Sequence, residues 1–208
     1  MTTPLGVLSV DAQEGRCVTV SRRTRETEIT LTLDLDGSGT ADVRTGVGLY
    51  DHLLGAFASH GLFDLAIRVV GDLEVDEHHT VEDVALVLGS ALAAALGDRA
   101  GIQRFGDAAV PMDEALATAV VDVGGRPYAV LDIPFHGERI GAMSTQLVEH
   151  ALEAFARTAG LTLHLRAGGR NDHHVAEAAF KALARALRTA VAPDPRRVGV
   201  ASTKGSLG

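Results

Sequence analysis

Cysteine is almost absent from this chain: Cys17 stands alone among 208 residues. No internal disulfide can form, which fits a reducing compartment. Positive charge is scarce too, with 19 lysines and arginines against 27 acids and a formal net charge of −8. That balance argues against a general nucleic-acid or membrane-surface binder and leaves only local basic patches. Long apolar runs are missing; the alanine-rich stretch 84–96 falls short of the ~20 residues that span a bilayer. Met1 to Val10 has neither the basic start nor the sustained apolar core of a signal peptide. The expectation is a cytoplasmic protein with no nucleic-acid and no membrane partner. With 46% apolar and 22% charged residues, the composition is that of an ordinary globular chain, long enough to bury a substantial core.

What the chain has is histidine, and it has it twice over. Asn171-Asp172-His173-His174-Val175-Ala176-Glu177 is echoed by Glu77-His78-His79-Thr80-Val81-Glu82-Asp83. His78 and His173, His79 and His174, and Glu82 and Glu177 are each separated by 95 residues. Upstream of each block lies a further histidine ahead of a similar run, His52 and His150, separated by 98 residues. The difference of three fits a shorter hairpin in the second copy.

Helix geometry says what these blocks can do. Residues four apart share a helix face, so His78/Glu82 and His173/Glu177 can each aim at one point. Adjacent histidines differ by ~100° around the axis and cannot easily grip one ion together. Two pairs, two glutamates and two lone histidines point to two metal sites, each with about three imidazoles and one carboxylate. Such donors suit Mn, Fe, Ni or Zn rather than Ca or Mg. Asp76-Glu77 and Asp172, just ahead of the pairs, are either helix caps or groups that orient imidazoles. His60, His136 and His164 are less persuasive ligands, and His164 is expected to face solvent or the sheet from an alternating strand.

The surrounding pattern reads as strands at 17–20 and 27–35, a turn at 36–39, a helix at 50–59 and a strand at 65–71. A helix then runs from the first histidine block through Leu96. The second half repeats the plan: strands at 117–123 and 128–133 around the Gly124-Gly125 turn, a helix at 146–158, a strand at 161–166 and a helix to about Ala190, ended by Pro193 and Pro195. The expected fold class is α+β, one domain over 1–208 made of two pseudo-repeats (about 16–100 and 101–192) and a tail at 193–208. Each half would be a small, mostly antiparallel or mixed sheet with two helices on one face. The long helices are apolar over more than one stripe, so they are expected to lie sandwiched between the two sheets.

Basic residues beside glycine or at turns are candidates for anion binding: Arg104, Arg126, Ser202-Thr203-Lys204, and Lys181, one turn beyond Glu177 on the same face. Arginine forks and a Ser-Thr-Lys turn suit phosphate.

Several further motifs run in order over nearly the whole chain. They are Arg23-Thr24-Arg25-Glu26-Thr27, Asp51-His52-Leu53-Leu54, Ser59-His60-Gly61-Leu62-Phe63-Asp64-Leu65, Gly71-Asp72, Gly101-Ile102, Arg104-Phe105-Gly106, Gly125-Arg126-Pro127-Tyr128 and Ser202-Thr203-Lys204-Gly205. With the histidine blocks they closely resemble the imidazoleglycerol-phosphate dehydratase family. Gly55 stands where that family commonly has an acidic residue, and Arg170-Asn171-Asp172 departs from its common lead-in to the second block.

The resemblance implies dehydration of imidazole glycerol phosphate to imidazole acetol phosphate in histidine biosynthesis. It also implies a duplicated subunit of the ribosomal protein S5 domain 2-like type, two Mn2+ per active site, and a homo-oligomer in which trimers assemble to a 24-mer with metal sites near subunit interfaces. It makes His52, His78, His79, Glu82, His150, His173, His174 and Glu177 the metal ligands, with their division between ions and subunits left open. Around the small phosphorylated imidazole substrate it gathers Glu26, His52, His60, His78, His79, Glu82, Arg104, Arg126, His173, His174, Glu177, Lys181, Ser202, Thr203 and Lys204. Glu26 leads as acid/base, Glu177 and a metal-bound water are alternatives, and His79 joins the catalytic set. The expected course runs through a metal-bound imidazolate and a diazafulvene-like intermediate. Two other readings use the same ligands. A dinuclear hydrolase would release phosphate or an amine; a non-catalytic, metal-assembled cage would show no turnover.

Overall fold

The computed structural model describes residues 6–207; the first five residues of the Met1 to Val10 segment lie outside them. The chain runs β1 (Leu8–Glu14), β2 (Cys17–Arg23), β3 (Thr27–Asp34), β4 (Ala41–Arg44), α1 (Gly48–Gly61), β5 (Asp64–Gly71) and α2 (His78–Leu96). It continues with β6 (Phe105–Met112), β7 (Ala115–Asp122), β8 (Tyr128–Asp132), the short pair β9 (Arg139–Ile140) and β10 (Met143–Ser144), α3 (Gln146–Ala159), β11 (Thr162–Gly168) and α4 (Asp172–Ala190).

Local pattern explains most elements. In β3 the alternation is strict: Ile29, Leu31 and Leu33 are buried while Glu28 and Thr30 face out. In α1 the buried residues Tyr50, Leu53, Leu54, Phe57 and Ala58 follow the helical period. α3 ends where Gly160 adopts φ 62° and its N–H returns to the Ala156 carbonyl, a left-handed cap that glycine enters at little cost. α2 is buried on more than one side and is long and apolar enough to cross a bilayer, yet most of it is covered inside the protein.

The two sheets have the orders β1-β2-β3-β5-β4 and β6-β7-β11-β8. Without β1 they correspond strand for strand: two antiparallel pairings, then one parallel pairing at the far edge. α2 packs on β2 and β3, α4 on β6 and β7, and between these layers α2 lies against α3 and α1 against α4. The helices are therefore sandwiched between the sheets, as their apolar breadth implies, and every helix–helix contact of this kind joins the two halves.

Three sequence expectations change. The Gly124-Gly125 turn does not close a hairpin, because β11 lies between β7 and β8. The three-residue difference between the copies is not in a hairpin either; it falls in the strand-to-helix connection, 72–77 in the first half against 169–171 in the second. β1, β4, β6 and the β9/β10 pair were not expected, since β1 and β4 are largely exposed and β6 carries Pro111 at a sheet edge, where proline is tolerated.

Candidate metal centre

Each of α2 and α4 starts where its strand-to-helix loop ends, so the first histidine lies in the opening turn with its glutamate one turn deeper. His78 Nε2 is 3.9 Å from Glu82 Oε2, and His173 Nε2 is 3.2 Å from Glu177 Oε2. The third donor comes from the other half. Because α2 packs on α3, His150 brings Nε2 to 3.5 Å from Glu82 Oε1. Because α1 packs on α4, His52 brings Nε2 to 2.8 Å from Glu177 Oε2. The result is two trios, His78/Glu82/His150 and His52/His173/Glu177, each with its donor atoms within 4.8 Å of one another.

The trios suit a divalent cation. His150 Nε2 is buried without a hydrogen-bond partner, an arrangement that costs stability unless an ion or proton meets the lone pair. Burial alone would raise the Glu177 carboxyl, but hydrogen bonds from Lys181 and His52 hold it at about 2, so it is an anion at neutral pH. Its oxygens divide the work: Oε1 takes Lys181 Nζ at 2.6 Å, and Oε2 faces the two imidazoles. Two imidazoles and one carboxylate match manganese, iron, nickel or zinc.

Three imidazoles per site, however, are not reached within one chain. His79 and His174 stand off, with ring centroids 6.2 and 6.4 Å from their neighbours and planes turned by 82° and 75°, as the ~100° step between adjacent helical residues requires. Each is steered by a carboxylate. Asp72 accepts from His79 Nδ1 at 3.0 Å, and this bond raises the imidazole above its ordinary pKa. Glu114 accepts from His174 Nδ1 at 2.9 Å and from the N–H groups of Arg170 and Asn171. With Nδ1 committed, Nε2 is the free donor of each ring. Neither carboxylate was found by helical spacing: Asp72 lies in the preceding loop, and Glu114 in a turn beside an unexpected strand.

The acids just ahead of the blocks turn out to be structural. Asp76 accepts the His78 N–H at 2.7 Å, while Asn171 caps α4 through the His173 N–H. Glu77 holds the β9/β10 pair through Arg139 and the Ser144 N–H. Asp172 holds the backbone N–H groups of His136 and Gly137. His164 is exposed on β11. Burial, with Lys181 and Arg185 near by, pushes His60 below its ordinary value beside the second trio. Glu26, in the turn between β2 and β3, brings Oε1 to 3.8 Å from His79 Nε2.

Arg104, Arg126 and Ser202 to Lys204 come together elsewhere, lining a cleft of about 280 Å³ with Gly124. Arg104 grips Asp122 with two N–H groups, at 2.6 and 2.9 Å, and donates a third to the Ala201 carbonyl, so it fixes the tail over the cleft. Arg126 and Lys204 leave the cleft cationic. This cleft lies at the Asp122 end of β7, whereas Glu114 and His174 lie at its Ala115 end. Eight residues of strand separate these ends by roughly 23 Å at the usual rise. Of the substrate-facing set expected from the sequence, one chain therefore keeps His174 apart from Arg104, Arg126 and Ser202 to Lys204.

Comparison with known proteins bears on all of this. The family model described as imidazoleglycerol-phosphate dehydratase matches residues 45–187. The imidazoleglycerol-phosphate dehydratase of Methanoculleus marisnigri is 56% identical over 188 residues, 90% of this chain and 97% of that one. That of Acidiphilium cryptum is 55% identical over 195 residues, 93% and 100% of the two chains. The crystal structure of the Staphylococcus aureus dehydratase matches with TM-score 0.75 and 36% identity over 80% of this chain and 95% of that one. The Pyrococcus furiosus structure matches with TM-score 0.78 and 35% identity over 90% and 99%.

Proposed function

Because this chain belongs to the imidazoleglycerol-phosphate dehydratase family and is a hydro-lyase of histidine biosynthesis, we propose that its two trios hold a pair of manganese ions where imidazole glycerol phosphate loses water to give imidazole acetol phosphate. The observation that carries this reading is the crossing of the halves: each His–Glu pair meets a histidine of the other half within 4.8 Å. When bound, the ions supply Lewis acidity toward the ring nitrogens, giving the ring the anionic character needed to expel the neighbouring hydroxyl.

The rest falls to side chains. Loss of hydroxyl leaves a diazafulvene-like species; Glu26 removes the proton from the next carbon, and the enol so formed becomes the ketone. Comparison of the halves supports Glu26. Its counterpart Glu114 is tied up by His174 and two backbone N–H groups, whereas Asp72 takes the imidazole in the first half and leaves the Glu26 carboxylate unbonded near His79 Nε2. Lys181 keeps Glu177 anionic and single-sided toward its imidazoles. Arg126, Lys204 and the Ser202 to Thr203 turn receive the phosphate in a cleft shaped by Arg104, which positions the ring.

A three-carbon chain cannot span the length of β7, so the phosphate cleft and the His174 of one active site come from different copies. His79 and His174, with Nε2 free, would complete a neighbour's trios. This favours a homo-oligomer, and we place it in the cytoplasm as single-domain, two-repeat subunits built from trimers into a 24-mer. The test is ketone formation from imidazole glycerol phosphate before chelation, after chelation and after manganese is restored. Turnover that disappears and returns, with phosphate retained in the product, supports the reading; release of inorganic phosphate would favour a hydrolase instead.

A further inference from the structure

The two halves differ at a corner where their geometry is the same. Gly71 and Gly169 occupy equivalent positions: a Cβ on either would meet the residue opening the next strand (Thr27 or Ala115) and the residue after the second histidine (Thr80 or Val175). Two-residue turns, Arg25-Glu26 and Asp113-Glu114, join β2 to β3 and β6 to β7. Glu26 thus corresponds to Glu114, Thr27 to Ala115 and Arg22 to Val110, while the helix offset pairs Asp83 with Ala178.

In the second half this corner is apolar, with Ala115 and Ala178 buried and Val110 packed against the core. In the first half it is polar and still buried, Thr27 being 3% and Asp83 7% exposed. The Thr27 hydroxyl donates to Asp83 Oδ2, and Asp83 Oδ1 pairs with Arg22 Nη1. Asp83 directly follows the ligand Glu82; Thr27 directly follows Glu26. The turn itself is held by Thr24 Oγ1, which accepts the N–H groups of Glu26 and Thr27 at 3.1 and 2.9 Å, and by the Asp72 N–H, which donates to the Glu26 carbonyl at 3.1 Å.

A buried ion pair adds little over well-packed apolar residues of similar shape, and the second half closes the same corner without one. Folding therefore does not account for the polar set. We infer that Arg22, Thr27 and Asp83 are positioning residues that fix the turn bearing Glu26 against the helix bearing His78, His79 and Glu82. The inference rests on the reading of Glu26 as the acid/base.

The test compares four variants of the manganese-loaded assembly: Glu26→Gln, Thr27→Val, Thr27→Ser, and the triple Arg22→Val/Thr27→Ala/Asp83→Ala that copies the second half. Thr27→Val and the triple variant should keep metal content, assembly mass and KM while kcat falls roughly 10- to 100-fold, the usual effect of a small misplacement. Thr27→Ser should restore most of kcat. The limb of the pH profile abolished by Glu26→Gln should shift in Thr27→Val but not in Thr27→Ser. If Glu26→Gln is inactive while Thr27→Val and the triple variant keep wild-type kcat and pH profile, the positioning role is overturned and Glu26 stands. Loss of kcat only in step with loss of metal would overturn it too. Near-normal turnover in Glu26→Gln removes Glu26, and the inference with it.

Discussion

Two carboxylates decide where the second histidine of each pair points. Asp72 and Glu114 bind Nδ1 of His79 and His174, fixing the tautomer and aiming Nε2 outward. Asp72→Ala and Glu114→Ala should each weaken manganese binding about 10- to 100-fold, read by titration of the metal-free protein; unchanged affinity would show that these rings need no steering. Glu114 also carries a pH signature. Chiefly through the His174 hydrogen bond its carboxyl is held at about 2, against an ordinary 4.5. A depressed carboxyl stabilises the fold fully above its ordinary value and loses that contribution as pH falls from about 4.5 toward about 2. The metal-free Glu114→Gln variant should therefore lose less Tm across that window than the parent, and parallel melting curves would contradict the assignment.

At the scale of elements, the metal site is set by how closely α2 and α3 approach. A Cβ at Gly89 would collide with Thr158 Oγ1 and the Phe155 carbonyl on α3. Gly89→Ala should cost about 1–3 kcal/mol by overpacking, seen in denaturant unfolding, and should weaken metal binding by moving His78 and Glu82 away from His150. Wild-type stability would mean the helices slide apart freely. This crossing was half legible in the sequence. The four-residue spacing gave the His–Glu pairs and the apolar breadth of the helices gave the sandwich, because both are local and periodic. Which lone histidine joins which pair was not legible, since that depends on α2 meeting α3 and α1 meeting α4. Pro111 hides β6 from a strand pattern, and with it the turn that carries Glu114. The parallel seat of β8 beside β11 is a non-local pairing that a Gly-Gly turn cannot reveal.

At the scale of the molecule, one strand keeps the cleft proposed for phosphate and the Glu114–His174 end apart, so activity should require several copies. Co-assembly of an inactive His174→Ala chain with an inactive Arg126→Ala chain should regain a fraction of wild-type turnover, because some sites then combine two intact surfaces. No recovery in demonstrably mixed particles would contradict shared sites. If the proposed 24-mer forms, chelation should likewise reduce it to smaller oligomers by light scattering, and a particle unchanged after complete metal removal would speak against interfacial ions.

The most direct measurement is the number of manganese ions bound per chain by the chelated protein, titrated alongside Glu82→Ala and Glu177→Ala. If each of the two trios takes one ion, the wild type should bind two ions per chain and either variant one, with ketone formation lost in both. Full occupancy in both variants, or no manganese bound by the wild type, would contradict a centre built from crossed His–Glu–His trios.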